Sequence, residues 1–213
     1  MTDLAVFGAG GHAREVIALI RELNAMGSTG ETWRLLGVLT DRTEWTLPER
    51  VGLPRLGGVE WLAAHPLCNV VIAVGDPIGR QQIATRIGAA CSNAFATLVH
   101  PRAWLAERVT VGEGAQVFAG ALVNADAQIG AHAIVNIGCR VSHDAVVGDF
   151  ATLGPGATLC GAASVGKGCE LGAGAVVLPR VYIGDEARLG AGAVAVASLP
   201  ARVTAVGVPA RPL

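Results

Sequence analysis

The stretch VNIGCRVSHDAVVGDFATLGPGATLCG, residues 135–161, carries an aliphatic residue at Val135, Val141, Val147, Leu153 and Leu159. The step is six and it does not slip. Followed outward both ways, it lands on Val, Ile or Leu sixteen times in succession, from Val99 to Leu189. Four residues after each of these stands a small side chain: twelve Ala, then Cys139 and Cys169, with Val109 and Val181 the largest. A third register recurs every eighteen residues, at Gly112, Gly130, Gly148, Gly166 and Gly184. Six nested in eighteen makes three hexads per coil, the pattern of a parallel β-helix of triangular cross-section. The aliphatic residue fills the inside and the small residue fits where the wall turns. Gly supplies backbone geometry that a Cβ resists. A single coil cannot bury its inner face, so stacking is the source of stability. A β-sandwich would alternate with period two and vary its turn lengths. About five coils are expected from residue 99 to 194, closed by the Pro-containing tail Leu199–Leu213.

The composition agrees with this scaffold. Of 213 residues 29 are Gly, 4% are aromatic and 15% charged, against roughly 7% Gly and about 25% charged in ordinary chains. A narrow prism lined with Val, Ile and Leu has little room for rings, and seventeen of the Gly lie from residue 99 onward. An apolar, weakly charged chain is not disordered, and the absence of a Gly-X-Y period excludes collagen. A net charge of −1 lacks the basic excess of a nucleic-acid binder. There is no apolar run of about 20 residues and no signal-peptide pattern at the start. The reading is a soluble, cytoplasmic protein. Five Cys without a CxxC pair are expected to be reduced thiols.

Residues 1–95 show no hexad and read as a small Rossmann-like α/β domain, with the β-helix domain and its tail filling 96–213. Leu4–Phe7 is a short strand, followed by Gly8-Ala9-Gly10-Gly11-His12 and a helix with Ala13, Val16, Ile17, Ile20 and Leu23 at helical spacing. Leu35–Leu39 is a second strand ending at Thr40-Asp41. Val59–Ala64 is a short helix. Val70–Val74 is a third strand ending at Gly75-Asp76. Asp76-Pro77 opens the last helix as N-cap and first-turn proline. The Gly8-x-Gly10 turn between strand and helix is the context in which backbone N–H groups and a helix dipole converge on a phosphate. The competing reading is a bare β–α turn. Asp41 ends the second strand, where a Rossmann-like fold reads a ribose or sugar hydroxyl. The unit is short for a full dinucleotide fold, so the expected ligand is one nucleoside diphosphate.

Of the five His, His143 stands out beside Asp144, near a corner of its coil, with Gly161 eighteen residues on and directly above. That pairs a candidate general base with a candidate oxyanion donor; a solvated corner His is the competing reading. Asp144 would orient and stabilise the imidazole as the acid of a triad does. Neighbouring side chains in a strand diverge, so the pair works only if the corner brings them together. Asn136, seven residues earlier, either lies nearby or caps a turn. His132 reads as exposed filler, His65 as a surface residue, His100 as structural, and His12 abuts the Gly turn.

The order GAGGHAREV, GVLTD, VAVGD, the hexapeptide helix and a final AVGVPAR resembles, over the whole chain, the sugar O- and N-acyltransferases of the sialic acid O-acetyltransferase type. It is similar to the bacterial acetyltransferases acting on nucleotide-linked 4-amino sugars. The resemblance implies a left-handed helix, a homotrimer, and acetyl-CoA as co-substrate in a groove between helices of neighbouring subunits, with no metal. The small domain would hold the nucleotide-linked amino sugar. It further implies His143 as base, Asp144 as its acidic partner and Asn136 as the active-site Asn. Gly161 falls where a backbone amide meets the thioester carbonyl, and Ala173 and Ala191 on the coenzyme track. Gly10, Gly11, His12, Thr40, Asp41 and Gly75 fall on the nucleotide-sugar site. Two departures stand out. Relatives often show two acids at Thr40-Asp41, and some carry a second His near the thioester where this chain has Thr152.

Three alternatives remain open at this level. A zinc enzyme on the same scaffold would need three protein ligands, and only His132 and His143 lie deep in the helix. A non-catalytic sugar-nucleotide binder would use the helix only to trimerise. Within the enzyme class the acceptor is either an amine or, on a sialic-acid-like sugar, a hydroxyl. The intact Gly8-x-Gly10 turn favours N-acetylation.

Overall fold

The structure is a computed structural model that describes residues 1–27, 32–41 and 51–213. The chain divides into two compact units, Met1–Pro101 and Arg102–Leu213.

In the first unit the order is β1 (Thr2–Phe7), α1 (Gly11–Met26), β2 (Trp33–Leu39), β3 (Arg55–Gly57), α2 (Val59–Ala63), β4 (Asn69–Ile72) and α3 (Pro77–Ala90). The strands form a parallel sheet in the order β3-β2-β1-β4. Successive residues Leu4, Ala5 and Val6, and likewise Val70 and Val71, are all buried, as a parallel sheet covered on both faces requires. α1 buries the Ala13, Val16, Ile17, Ile20, Leu23 stripe that its spacing predicts, and ends on left-handed Gly27. Asp76 accepts the Gly79 N–H at 2.7 Å, with Pro77 in the first turn, as the N-cap reading expects. Arg80, fully buried, donates to the Val74 and Gly75 carbonyls at 2.7 and 2.9 Å and so fastens the loop between β4 and α3. β3 is an addition: Arg55-Leu56-Gly57 is too short to carry an alternation. The chain steps outward from β1 to β2 and β3, then returns to the other side of β1 at β4. That reversal places a switch point at the carboxyl ends of β1 and β4, where open α/β sheets hold ligands.

The second unit is a left-handed parallel β-helix of two-residue strands. Its first face stacks Trp104–Leu105, Leu122–Val123, Arg140–Val141, Thr158–Leu159, Val176–Val177 and Val194–Ala195. The second stacks Thr110–Val111, Gln128–Ile129, Val146–Val147, Ser164–Val165 and Tyr182–Ile183. The third runs from Gln116–Val117 through Ile134–Val135, Thr152–Leu153, Glu170–Leu171 and Arg188–Leu189. Within these faces each partner lies eighteen residues away, as in Arg140 with Thr158. From Val117 to Leu189 the aliphatic register is buried, and so is the small register from Ala115 to Ala193. The tail is a cap: Thr204–Val206 pairs parallel with Arg188–Leu189, and Arg211–Pro212 folds back antiparallel.

Two sequence readings are corrected. The eighteen-spaced glycines Gly112 to Gly184 do not hold left-handed backbone. A Cβ on Gly148 would stand 2.6 Å from the Gly166 carbonyl carbon, and one on Gly130 2.5 Å from Asp149 N. Close stacking of coils, not φ, excludes a side chain there. The left-handed position lies two residues on, at every corner. Between the third and first faces it is Gly throughout: Gly120, Gly138, Gly156, Gly174 and Gly192. At the other corners Arg108, Asp126, Asp144, His132 and Phe150 take it at φ of 55–61°. His132, read as exposed filler, is buried and stacks on Phe150 with ring centroids 4.9 Å apart.

Burial pushes the thiols of Cys68, Cys139 and Cys169 up to about 11, and the thiolate is the reactive form. Brief iodoacetamide treatment of native protein at pH 8 is expected to label only the half-buried Cys91 and Cys160. Mass spectrometry finding a label on Cys139 or Cys169 before unfolding would contradict the packing.

Candidate active site

The first unit has a cavity of about 440 Å³ at the switch point, lined by three loop segments and one face of α3. After β1 come Gly8 to His12, after β2 Thr40 and Asp41, and after β4 Ala73 to Asp76. The six residues expected to bind the nucleotide sugar, Gly10, Gly11, His12, Thr40, Asp41 and Gly75, all line it. Gly8 holds φ +138°, and a Cβ there would collide with the Ala73 carbonyl, so β1 and the end of β4 meet closely. Over Gly10 nothing lies within 4 Å of where a Cβ would be. Gly10 is the N-cap of α1, and no side chain caps that end. A sixteen-residue helix therefore begins at this cavity with no side-chain cap, the setting that takes a phosphate. The far wall was missed from sequence. Gly79, Gln82, Ile83 and Arg86 lie on one face of α3, and Arg86 donates to Asp41 at 2.7 Å. Their i, i+3, i+4, i+7 spacing after Asp76-Pro77 was the available signal.

In the β-helix, His143 and Asp144 occupy the corner between the first and second faces. Asp144 is left-handed there, at φ 58°, and this turns its side chain back toward its neighbour. Nδ1 of His143 lies 2.8 Å from Asp144 Oδ2. An ionised carboxylate only accepts, so Nδ1–H donates and Nε2 is left with its lone pair. Both side chains are about 60% exposed. Gly161 lies one coil above. A Cβ on it would come within 2.7 Å of His143 Nε2, so the glycine makes room for the ring. Its carbonyl accepts from Arg180 N, while among the described residues its N–H meets no acceptor. A cavity of about 350 Å³ adjoins this corner, lined by Trp104, Leu122, Arg140, Ser142, Cys160 and Gly161 among others. Of these only Gly161 was expected.

Asn136, Ala173 and Ala191 lie elsewhere, on the all-glycine corner between the third and first faces. Asn136 accepts the Ile137 N–H at 2.7 Å and so caps its own turn. A width of the first face separates this corner from His143, and the chain does not bring the two sets together. Thr152 lies on the third face, in the strand Thr152–Leu153. Along the all-glycine corner a Cβ at Gly138, Gly156, Gly174 or Gly192 would meet nothing within 4 Å. Among the described residues the Ala173 and Ala191 N–H groups find no acceptor. Among the described residues no three of His, Cys, Asp and Glu are placed to hold a metal ion, and no helix is long and apolar enough to cross a membrane.

Residues 3–87 match the PglD N-terminal domain, and residues 162–195 the bacterial transferase hexapeptide (six repeats). Over 131 residues the chain is 40% identical to the UDP-N-acetylbacillosamine N-acetyltransferase of Bacillus subtilis, across 56% of this chain and 52% of that protein. The chain thus spans about half the length of the curated relative it matches. A variant of the perosamine N-acetyltransferase of Caulobacter crescentus, solved in complex with CoA and GDP-perosamine, has a TM-score of 0.87 at 33% identity, over 100% of this chain and 97% of that one. The chain belongs to the hexapeptide-repeat sugar acyltransferases of the sialic acid O-acetyltransferase type. The acetyltransferase domain of PglB from Neisseria gonorrhoeae, solved with acetyl coenzyme A, is likewise similar, with a TM-score of 0.87 and 32% identity over 99% of this chain and 98% of that one. Both of these solved neighbours match along nearly the whole chain, through both units.

Proposed function

We propose that the protein is an acetyl-CoA-dependent N-acetyltransferase acting on a nucleotide-linked amino sugar, with His143 as general base. The observation that carries this reading is the His143–Asp144 pair at 2.8 Å beneath the unengaged N–H of Gly161. His143 Nε2 takes the proton of the attacking amine as nitrogen adds to the thioester carbonyl. The Gly161 N–H donates to the oxyanion as it forms. Asp144 holds the imidazole in the tautomer that can accept, and stabilises the imidazolium once formed. Collapse forms the amide and breaks the carbon–sulfur bond, and His143 returns its proton to the thiolate. Acetyl-CoA supplies the activated acyl group; no side chain need become acylated.

The all-glycine corner supports a track for the coenzyme, because bare backbone and free amides at Ala173 and Ala191 suit a long ligand lying close. That corner and the His143 corner are distinct in one chain. A second copy, turned about the helix axis direction, would bring the Asn136 side of one chain to the His143 side of the next. This is the sense in which a homotrimer completes the site. The N-terminal cavity supplies the diphosphate cradle, with Thr40, Asp41, His12 and Gly75 around it.

A thiol-release assay tests the reading. Full-length protein is mixed with acetyl-CoA and UDP-, GDP- or dTDP-linked amino sugars. Release is expected only when both substrates are present, with one acetyl group gained by the sugar nitrogen in the product's mass spectrum. Tight sugar-nucleotide binding without release would favour a non-catalytic binder. Turnover only with hydroxyl acceptors would favour O-acetylation.

A further inference from the structure

Below the His143–Asp144 pair the first corner carries a column of charge. Arg108, Asp126 and Asp144 follow one another at eighteen-residue steps, each in the left-handed corner position with φ 58°, 61° and 58°. Backbone bonds lock the coils together, Asp126 N donating to Glu107 O at 3.3 Å and Asp144 N to Ala125 O at 3.1 Å. Successive coils stand about 4.8 Å apart, the spacing of paired strands. Two carboxylates are therefore stacked directly, which is unfavourable unless one is neutralised. Arg108 grips the lower one with both arms, Nε to Asp126 Oδ1 at 2.6 Å and a terminal nitrogen to Oδ2 at 2.7 Å. Asp144 is left to face His143.

We propose that the Arg108–Asp126 pair is a positioning element for the reaction at His143: Arg108 neutralises the carboxylate beneath Asp144, so that Asp144 serves the imidazole alone and the charge felt by His143 is set from below. This rests on the reading of His143 as the base. The electrostatics run the same way. The Asp126 carboxylate holds the Arg108 proton firmly, and the charge of Asp144 adds to that hold. In return Arg108 keeps the Asp126 carboxyl below the ordinary carboxylate range. The other charged groups around the corner are few. Glu107 sits 3.7 Å from Arg108, Arg140 borders the adjoining cavity, and Arg180 follows two coils above Asp144. Asn124 and Ala125 below the ring, and Gly161 and Ala162 above it, carry no charge, and Cys160 is a thiol.

The sign follows from charge alone. Arg108→Gln removes a cation and leaves Asp126 unneutralised. The added negative potential favours imidazolium, so the base is freed only at higher pH. The acid limb of kcat/KM is expected to move up by about half a pH unit at low salt. Asp126→Asn removes an anion and frees Arg108 to approach Asp144, so the limb moves down by about as much. The double variant Arg108→Gln/Asp126→Asn falls back near the wild type, and Asp126→Glu keeps the wild-type limb. All these groups are solvent-exposed, so raising the salt to 1 M, where screening acts within about 3 Å, should shrink both shifts. The KM for acetyl-CoA stays where it was.

A merely structural pair would lower both single variants' rates and leave the limb in place. An unmoved limb, or two shifts of the same sign, overturns the proposal while leaving His143 as base. A wild-type profile with no acid limb, or one that persists in His143→Ala, overturns both.

Discussion

His143→Ala is expected to lower turnover at least about a hundredfold, the lower end of what a positioned general base supplies, with little change in the KM for acetyl-CoA or in thermal stability. The expectation has two parts because the side chain has two separable relations to the protein. Chemically, among the described residues it is the only imidazole held by a carboxylate beneath an unengaged amide, so nothing nearby inherits its proton transfer. Among the groups at that corner, Ser142 lacks a base of its own and Cys160 lies beside Gly161 in the adjoining cavity. Mechanically, the ring is about 60% exposed and outside the buried registers, so truncation opens no interior cavity and large stability losses have no source. Residual activity would remain from the Gly161 amide and from holding both substrates. Steady-state kinetics with a thermal melt on the same preparation checks both parts. A near-normal rate removes His143 from the reaction; a lost rate with a collapsed melt would mean that the corner depends on the ring for folding.

The helix was legible because a narrow prism constrains every sixth residue. Interior width fixes an aliphatic at Val141 or Leu153, and the turn fixes a small residue at Ala145 or Ala157, whatever the surface does. The strand–helix alternation of the first unit was legible for the ordinary reason that α1 shows one apolar face. The site was legible only where its parts lie a coil apart or side by side. Gly161 over His143 is an eighteen-residue relation, and His143 beside Asp144 needs only the left-handed corner. Asn136 was harder. Seven residues suggest nearness, but one hexad carries the chain to the next corner, so within one chain the two stand a face apart. His132 was misread because its cover, Phe150, lies eighteen residues on, in a column the small and aliphatic registers do not reveal. Arg86 was missed because α3 shows no clean apolar face to orient it, so its presence beside Asp41 depends on tertiary packing.

Close stacking of the coils at the eighteen-spaced glycines sets the largest expected effect on stability. Gly148→Ala should destabilise the protein by about 3 kcal/mol or more, above the usual range for overpacking. The added Cβ would stand 2.6 Å from the Gly166 carbonyl carbon and 2.7 Å from both the Gly166 oxygen and Lys167 N. All three are backbone atoms, so no rotamer change relieves the contact. Moving them means spreading two coils that Gly148 N to Val165 O, at 2.9 Å, holds together, and straining Gly166 N to Ile183 O, at 2.8 Å, which ties in the next coil. Neighbouring coils are each other's only support in a solenoid, so the strain cannot be passed sideways. Gly138→Ala is the matched comparison. It makes the same change to the unfolded chain, at a left-handed φ of 65° with nothing within 4 Å of the new Cβ. Its cost should be only the roughly 1–2 kcal/mol of left-handed backbone, which Asp126, Asp144 and Phe150 already bear at their own corners. For a chain of this size the two melts should differ by several degrees, at about 2–4 °C per kcal/mol. Equal losses would mean that φ governs both positions and that coil contact does not set the eighteen-residue register. A larger loss at Gly138 would mean that the all-glycine corner is covered in the folded protein, by another chain or by its own assembly, before any ligand arrives.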